Sequence, residues 1–536
     1  MKRHLFAMTA VVAALVAAAQ PGSARPRRPL SGTPGEEPAV LRVAPDQLSF
    51  AGHIARRLAR GEMAGLLASL PRVSAELTTP PPPPLTAGKV NDPAHDGVAA
   101  FGAYSQSQSS TAWCGSNVVV AYNDLGSPFE APATRVSFVG LSRSANSGTS
   151  YSDMGFLPVN ANNQTLSGDP VVACADASNF YLAAVMEDDN VFTKNVIVYR
   201  STDGGLNWAP TATLPAALSE VTHFFSRPWI AVTPIATPMI HVTYTDFESP
   251  SSCGLDSGGD PITRVAIRYR RSTNNGVSWG PTIELDAVCA DTNADGVEDA
   301  TLHGSQVAVG PSHEVYVAWS RSEPLIEGTL RVRTSINDGT SFPALPSVFS
   351  NIVARVNPPG GGRELQGSIA AHNHPSLAVD RSGGPRNGTV YIAWTDGAAR
   401  VTDTLFGQYA YTDVLLTRSQ DRGVTWSRLP ARVNTNLEPS AGYSAYTDQF
   451  LPGVAVDKTG KVGVCFYDRR RDPSNFKIDR VCASSADGGV KWKNTFKTKK
   501  PFVYAPGVDW FRGLLLSSAT QQTVGTIDYD TLASDF

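Results

Sequence analysis

RSTDGGLNW, residues Arg200 to Trp208, decides the fold because the chain repeats it. Its frame is Ser, any residue, Asp or Asn, any residue, Gly, two free positions, then an aromatic. Ser201, Asp203, Gly205 and Trp208 fill that frame here. It returns as Ser144-Asn146-Gly148-Tyr151, Ser272-Asn274-Gly276-Trp279 and Ser335-Asn337-Gly339-Phe342. Two further copies are Ser419-Asp421-Gly423-Trp426 and Ser485-Asp487-Gly489-Trp492. Ordinary residue frequencies produce one match in roughly twenty thousand positions, so six copies in 536 residues are a repeat.

The residue types describe a turn. An Asp or Asn side chain accepts hydrogen bonds from nearby backbone N–H groups and closes a tight loop. Glycine two residues on supplies the positive φ that such a loop needs. The hydroxyl residue bonds locally, and the aromatic folds back as an apolar plug. These are structural duties, so this box takes no part in chemistry.

Around each box the text reads as short alternating strands. In the fifth repeat HPSLAVD, TVYIAWTD, DVLLTRS and ARVN are four strands, A to D, with the box joining C to D. The sixth repeat follows with LPGVAVD, KVGVCFYD and DRVCASS before its box. The box serines stand 57, 71, 63, 84 and 66 residues apart, so the loops vary while the strands hold steady. Six four-stranded antiparallel units predict an all-β fold, a six-bladed β-propeller over residues 101–536. The closing IDYDTLASDF reads like another strand A, which either closes the ring or begins a seventh blade cut short.

The six boxes resemble Asp-box, or BNR, repeats of the sialidase-like propeller superfamily, over about Phe101 to Trp492. That resemblance implies a propeller and a carbohydrate-active function, a sialidase-like glycoside hydrolase on extracellular glycans. The superfamily also holds non-catalytic propellers, so a glycan- or protein-binding role is the alternative. Sialidases carry an Arg-Ile-Pro at the start of their first blade. YSQSQSSTAW has no arginine there, and the nearest Arg-Pro is Arg227-Pro228.

The chain opens with Lys2, Arg3 and His4, an apolar run from Leu5 to Ala19, and Gly22-Ser23-Ala24 as a small-residue cleavage site. Residues 1–24 read as a secretory signal peptide, and no other segment is long and apolar enough to cross a bilayer. Residues 25–100, with TTPPPPPLTAG, read as a Pro-rich linker or prosegment; FAGHIARRLARGEMAGLLASL inside it has the period of an amphipathic helix. A net charge of −3 excludes a strongly basic nucleic-acid binder. The expected product is an exported monomer, extracellular or periplasmic, with a glycan as partner.

Strand order maps the faces. Boxes and A–B turns share one face, and B–C loops and strand-A lead-ins share the other, where a ligand would enter. Asp124, Asp188, Asp246, Asp396 and Asp468 end strand B in five repeats, a regularity that suits loop closure. Residues outside that regularity point more sharply to function: Arg227, Glu248, Arg321, Tyr467 and Arg469 to Arg471. In the hydrolase reading Asp246 or Glu248 is the general acid/base and Tyr446 or Tyr467 the nucleophile, as sialidases use tyrosine. Arg227 and Arg469 clamp a carboxylate bidentately, with Arg321 and Asp468 as further substrate contacts.

DTNADGVED spaces Asp291, Asn293 and Asp295 like the first half of an EF-type calcium loop, with Asp299 in place of the missing twelfth-position Glu. Calcium is the one cofactor expected. His372 and His374 alternate as metal ligands do, but a single pair is a weaker signal. An even six cysteines in an exported chain imply disulfides. Register pairs Cys114 with Cys174, on equivalent strand-A ends of blades 1 and 2, and Cys465 with Cys482, on adjacent strands of blade 6. Cys253 and Cys289 remain for each other.

Overall fold

The computed structural model describes residues 106–503, apart from 125–134, 160–163, 189–192, 220–221, 257, 291–299, 324–325, 344–351, 359–364, 367–368, 370, 404–406 and 437–446. The described residues form 26 strands. Blade 1 holds β1 (Gln106–Cys114), β2 (Asn117–Asp124), β4 (Val139–Ser144) and β5 (Ser152–Phe156). The short β3 (Arg135–Ser137) leaves it and pairs in parallel with the first strand of the next blade. Blade 2 is β6 (Gln164–Cys174), β7 (Phe180–Asp188), β8 (Thr193–Ser201) and β9 (Ala209–Ser219). Blade 3 is β10 (His223–Thr233), β11 (Met239–Glu248), β12 (Arg264–Ser272) and β13 (Ile283–Cys289). Blade 4 is β14 (Thr301–Val309), β15 (Val315–Glu323), β16 (Ile326–Ser335) and β17 (Ile352–Val356). Blade 5 is β18 (Ser376–Val379), β19 (Val390–Asp403), β20 (Gly407–Ser419) and β21 (Ala431–Arg432). Blade 6 is β22 (Gln449–Val456), β23 (Val462–Asp468), β24 (Lys477–Ser485) and β25 (Lys493–Phe496), with β26 (Phe502–Val503) also paired to β24. The molecule is a six-bladed β-propeller.

The second strand of each blade explains the order of the ring. Runs such as FYLAAVM and VYVAW are apolar on both faces because a blade lies against each. Blades 1 and 2 share one apolar cluster, 2 and 3 the next, and so on to blades 5 and 6. The box aromatic of each later blade seals the seam with the blade before it: Trp208, Trp279, Phe342, Trp426 and Trp492 in turn. The expected apolar plug is therefore a seam residue. The first strands of all six blades line one central channel of about 480 Å³.

All six box turns repeat three hydrogen bonds. In the second, the Ser201 hydroxyl donates to Asp203 Oδ1 at 2.8 Å, Gly205 N–H donates to Ser201 Oγ at 2.9 Å, and Asn207 N–H donates to Asp203 Oδ1 at 2.9 Å. The other five keep the same donors and acceptors. Their glycines lie at φ between 72° and 90°, where a side chain would be strained. Backbone bonds from Ser147 to Ser116, Gly204 to Ser178 and Asn275 to Pro238 tie box turns to A–B turns. Boxes and A–B turns share a face, as the strand order predicts.

Three disulfides join Cys114 to Cys174, Cys253 to Cys289 and Cys465 to Cys482, as the register reading expects. Cys465 and Cys482 stand directly opposite in the β23–β24 ladder. Such bridges fit an oxidising compartment outside the cytosol. Among the described residues no helix is long and apolar enough to cross a membrane. The proposed signal peptide, the linker with its helix and the closing IDYDTLASDF lie outside the described residues.

Candidate functional site

On the face opposite the boxes, five first strands bulge where they begin. The residue in each bulge has a left-handed backbone: Gln108 (φ 53°), Asp169 (54°), Arg227 (49°), Gly304 (61°) and Leu451 (52°). Side chains of the preceding blades hold three of these turns. Asn123 Oδ1 accepts from Asp169 N–H at 2.9 Å, Asp169 Oδ2 from Arg227 N–H at 3.1 Å, and Thr395 Oγ1 from Leu451 N–H at 2.9 Å. Bulges of this kind re-aim a side chain.

Three polar groups follow around this face. The first runs through blades 3 to 5. The Arg227 guanidinium donates to His303 Nδ1 at 3.1 Å, and both residues are buried. The His303 ring lies 5.7 Å from that of His374, which stacks on His372 at 4.8 Å. His374 Nδ1 bonds Ser320 Oγ at 3.0 Å, while its Nε2 is shut off from solvent with no hydrogen-bond partner. Burial first, then the charge of Arg227 and the ring of His372, holds the His303 imidazole well below its ordinary pKa. Burial and then His372 do the same to His374.

The second group lies on blade 3. Asp246 Oδ1 meets His223 Nδ1 at 2.9 Å, and Asp246 Oδ2 accepts from Arg268 Nε at 3.1 Å. Glu248, two residues on and therefore on the same side of β11, lies 3.6 Å from Arg264 Nη1. Both arginines also bond Glu284 on the neighbouring strand β13. Asp246 is 3% exposed and Glu248 27%, so one carboxyl group is enclosed and the other reaches solvent.

The third group belongs to blade 6. Arg469 is fully buried above the Phe450 ring; it donates to Asp448 Oδ2 at 3.3 Å, Asn475 O at 2.9 Å and Gln366 O at 2.6 Å. Asp468 is also fully buried and accepts from the Arg470 backbone N–H at 2.8 Å and from its guanidinium. Tyr467 stacks on Phe450 at 5.6 Å beneath Arg480.

The predicted residues thus fall into separate groups. Asp246 and Glu248 come together, and so do Arg469 and Asp468 with the fold of the last blade. Arg227 belongs with histidines, and Arg321 is half-buried on β15 opposite Leu302. Tyr446 and the calcium candidates Asp291, Asn293, Asp295 and Asp299 lie outside the described residues. Among the described residues no cluster of three or more His, Cys, Asp or Glu is placed to hold a metal ion. Arg264, Arg268 and Glu284 escaped the sequence reading. Their signal was the period of two in RVAIRYRR, which sets Arg264, Arg268 and Arg270 on one face of β12.

No family model matches the chain, and no curated protein does. Among solved structures, an α-L-arabinanase of Penicillium chrysogenum complexed with arabinobiose is 13% identical, covering 72% of this chain and 94% of its own, at a TM-score of 0.42. A Hadza microbial sialidase is 14% identical over 68% of this chain and 67% of its own, at 0.37. A PL25 ulvan lyase bound to a GlcA–Rha3S ligand is 10% identical over 77% and 86%, at 0.44. Likeness at this level does not reach to substrate.

Proposed function

We propose that the chain is a secreted, sialidase-like glycoside hydrolase acting on extracellular glycans, with Asp246 and Glu248 as its acid/base carboxyl groups. The pair on β11 carries the reading. They lie two residues apart, so both side chains leave the same side of the strand. Glu248 is the solvent-facing partner and Asp246 the enclosed one. Arg264 and Arg268 border the pair, and because Glu284 also holds them they act as fixed partners that orient its carboxyl groups. Calcium at Asp291, Asn293, Asp295 and Asp299 belongs to the same proposal.

A second reading, binding without turnover, is favoured by one observation: both Asp246 oxygens are already engaged, by His223 and Arg268. A panel of chromogenic glycosides that includes a sialoside, run beside a glycan array, separates the two. Hydrolysis of one substrate, lost in Glu248→Gln with the melting temperature unchanged, supports the enzyme. Array binding without hydrolysis of any substrate gives the binding module.

A further inference from the structure

We infer a second carbohydrate-contacting surface, a cationic edge on blade 6 that docks polyanionic polysaccharide. It goes beyond the proposed hydrolase site and stands or falls separately from it. Five of the ten residues from 491 to 500 are lysine, namely Lys491, Lys493, Lys497, Lys499 and Lys500, and the stretch holds no acid. All five are exposed, and among the described residues none makes an ion pair or a side-chain hydrogen bond. In a chain whose net charge is −3, five unneutralised ammonium groups in ten residues are a local reversal of sign.

The fold displays them. β25 and β26 both pair with β24, so the link between them bulges outward from the edge of the blade. Thr498 turns inward and pins that link. Its backbone O accepts from Arg471 Nη2 at 3.1 Å, its hydroxyl donates to Asp479 Oδ1 at 2.5 Å, and the Lys497 N–H donates to Arg480 O at 2.7 Å. Lys497, Lys499 and Lys500 are exposed on and beside this anchored backbone, so little main chain remains to be ordered on binding. Phe496, 36% exposed, lies under the Arg471 guanidinium at 4.2 Å and extends the surface with a ring face.

Lysines also keep an edge strand from pairing with another copy. Four of these five lie off β25, three of them in the link, where there is no ladder edge to protect. A long polyanion suits the arrangement better than a compact ligand: the charges follow a line of chain, and hydrated ammonium groups bind as point charges without demanding fixed geometry.

Heparin serves as the sulfated-polysaccharide probe, with neutral dextran, phosphatidylserine vesicles and single-stranded DNA in parallel, all measured with the full chain. The expected result is heparin binding in low salt that disappears near 0.5 M, by roughly the screening of exposed charges. K497Q/K499Q/K500Q should weaken it by about tenfold or more, while the matching Lys→Arg triple restores it and chromogenic-glycoside turnover is unchanged. Should the Gln triple fail to fold, K491Q/K493Q gives the same comparison at the box turn and the start of β25. Absence of heparin binding, equal affinity in the Gln variants, or tighter binding to vesicles or DNA overturns the inference.

Discussion

Asp169 Oδ2 accepts the backbone N–H of Arg227 across the seam between blades 2 and 3, at 3.1 Å. Both residues carry a left-handed backbone, at φ 54° and 49°. A non-glycine residue accepts that conformation at a cost of about 1–2 kcal/mol, so here a side chain is retained against backbone preference. Arg227→Ala and Arg227→Gly delete the same guanidinium, but only glycine relieves the strain. The alanine variant should lose on the order of 2–3 kcal/mol, as when a buried polar network is broken. The glycine variant should be about 1 kcal/mol more stable than the alanine one. Urea titrations measure this; identical midpoints would show that the bulge stores no strain.

The box turns make a gentler test. Asp203 accepts from the Leu206 and Asn207 backbones at 3.1 and 2.9 Å, and asparagine fills the same place in three sister turns, at 146, 274 and 337. Asp203→Asn should keep both backbone bonds and lose only the charge that receives Asn207 Nδ2 at 2.6 Å, a cost of about 0.5 kcal/mol. Asp203→Ala should cost about 1 kcal/mol for the lost bonds. Thermal melts of the two variants compare them; an asparagine variant as unstable as the alanine one would mean that charge, and not geometry, holds the turn.

The three disulfides close loops of 60, 36 and 17 residues. On the chain-entropy account they stabilise by about 4, 4 and 3 kcal/mol. Replacing Cys114 and Cys174 by alanine should lower the melting temperature more than replacing Cys465 and Cys482. The first pair also joins the innermost strands of two blades, where its loss loosens a seam. A larger drop for the second pair would place the cost in native packing. Non-reducing peptide maps check the pairing itself.

Calcium is tested without reference to turnover. Chelation should lower the melting temperature of the wild-type protein, and Asp291→Ala should abolish that response. Wild-type melts that ignore both chelator and added calcium would remove the ion from the loop.

Repetition made the fold legible. Box serine, glycine and aromatic recur at fixed offsets, and each offset is set by one local turn. Blade number, strand order and all three cysteine pairs follow from that register. That boxes and A–B turns share a face was legible too, but the grouping of side chains opposite them was not. Asp246 and Glu248 come together because they share one side of a strand, which period two reveals. Arg227 meets His303 from another blade, 76 positions later, and no local pattern encodes that contact. Arg469 looked like a ligand clamp because it follows Tyr467-Asp468 at a strand end. Its neighbours Asp448, Asn475 and the Gln366 carbonyl come from three other places in the chain, and they enclose it.

His241 supplies a pH test that the boxes do not confound. It is completely buried, with Nδ1 against Tyr269 OH at 2.7 Å and Nε2 against Thr233 Oγ1 at 2.9 Å. Burial, and then the charges of Arg271 and His313, lowers its pKa to about 3. Above about pH 6.5 the imidazole is neutral in both folded and unfolded chains, and its contribution to stability is fully present. Below that the unfolded chain binds a proton that the folded one refuses, so stability falls by up to about 1.4 kcal/mol per pH unit until the folded group titrates. His303 and His374 are displaced in the same direction and add to the slope. Between about pH 5 and 6.5 carboxylates stay ionised in either state, which leaves the histidines to dominate the window. The melting temperature should be level from pH 8 to 7 and decline toward pH 5. His241→Gln should melt lower at pH 7, because two buried partners lose an ideal bond, yet decline less steeply on acidification. A variant with the wild-type slope would show that His241 takes up its proton while still folded.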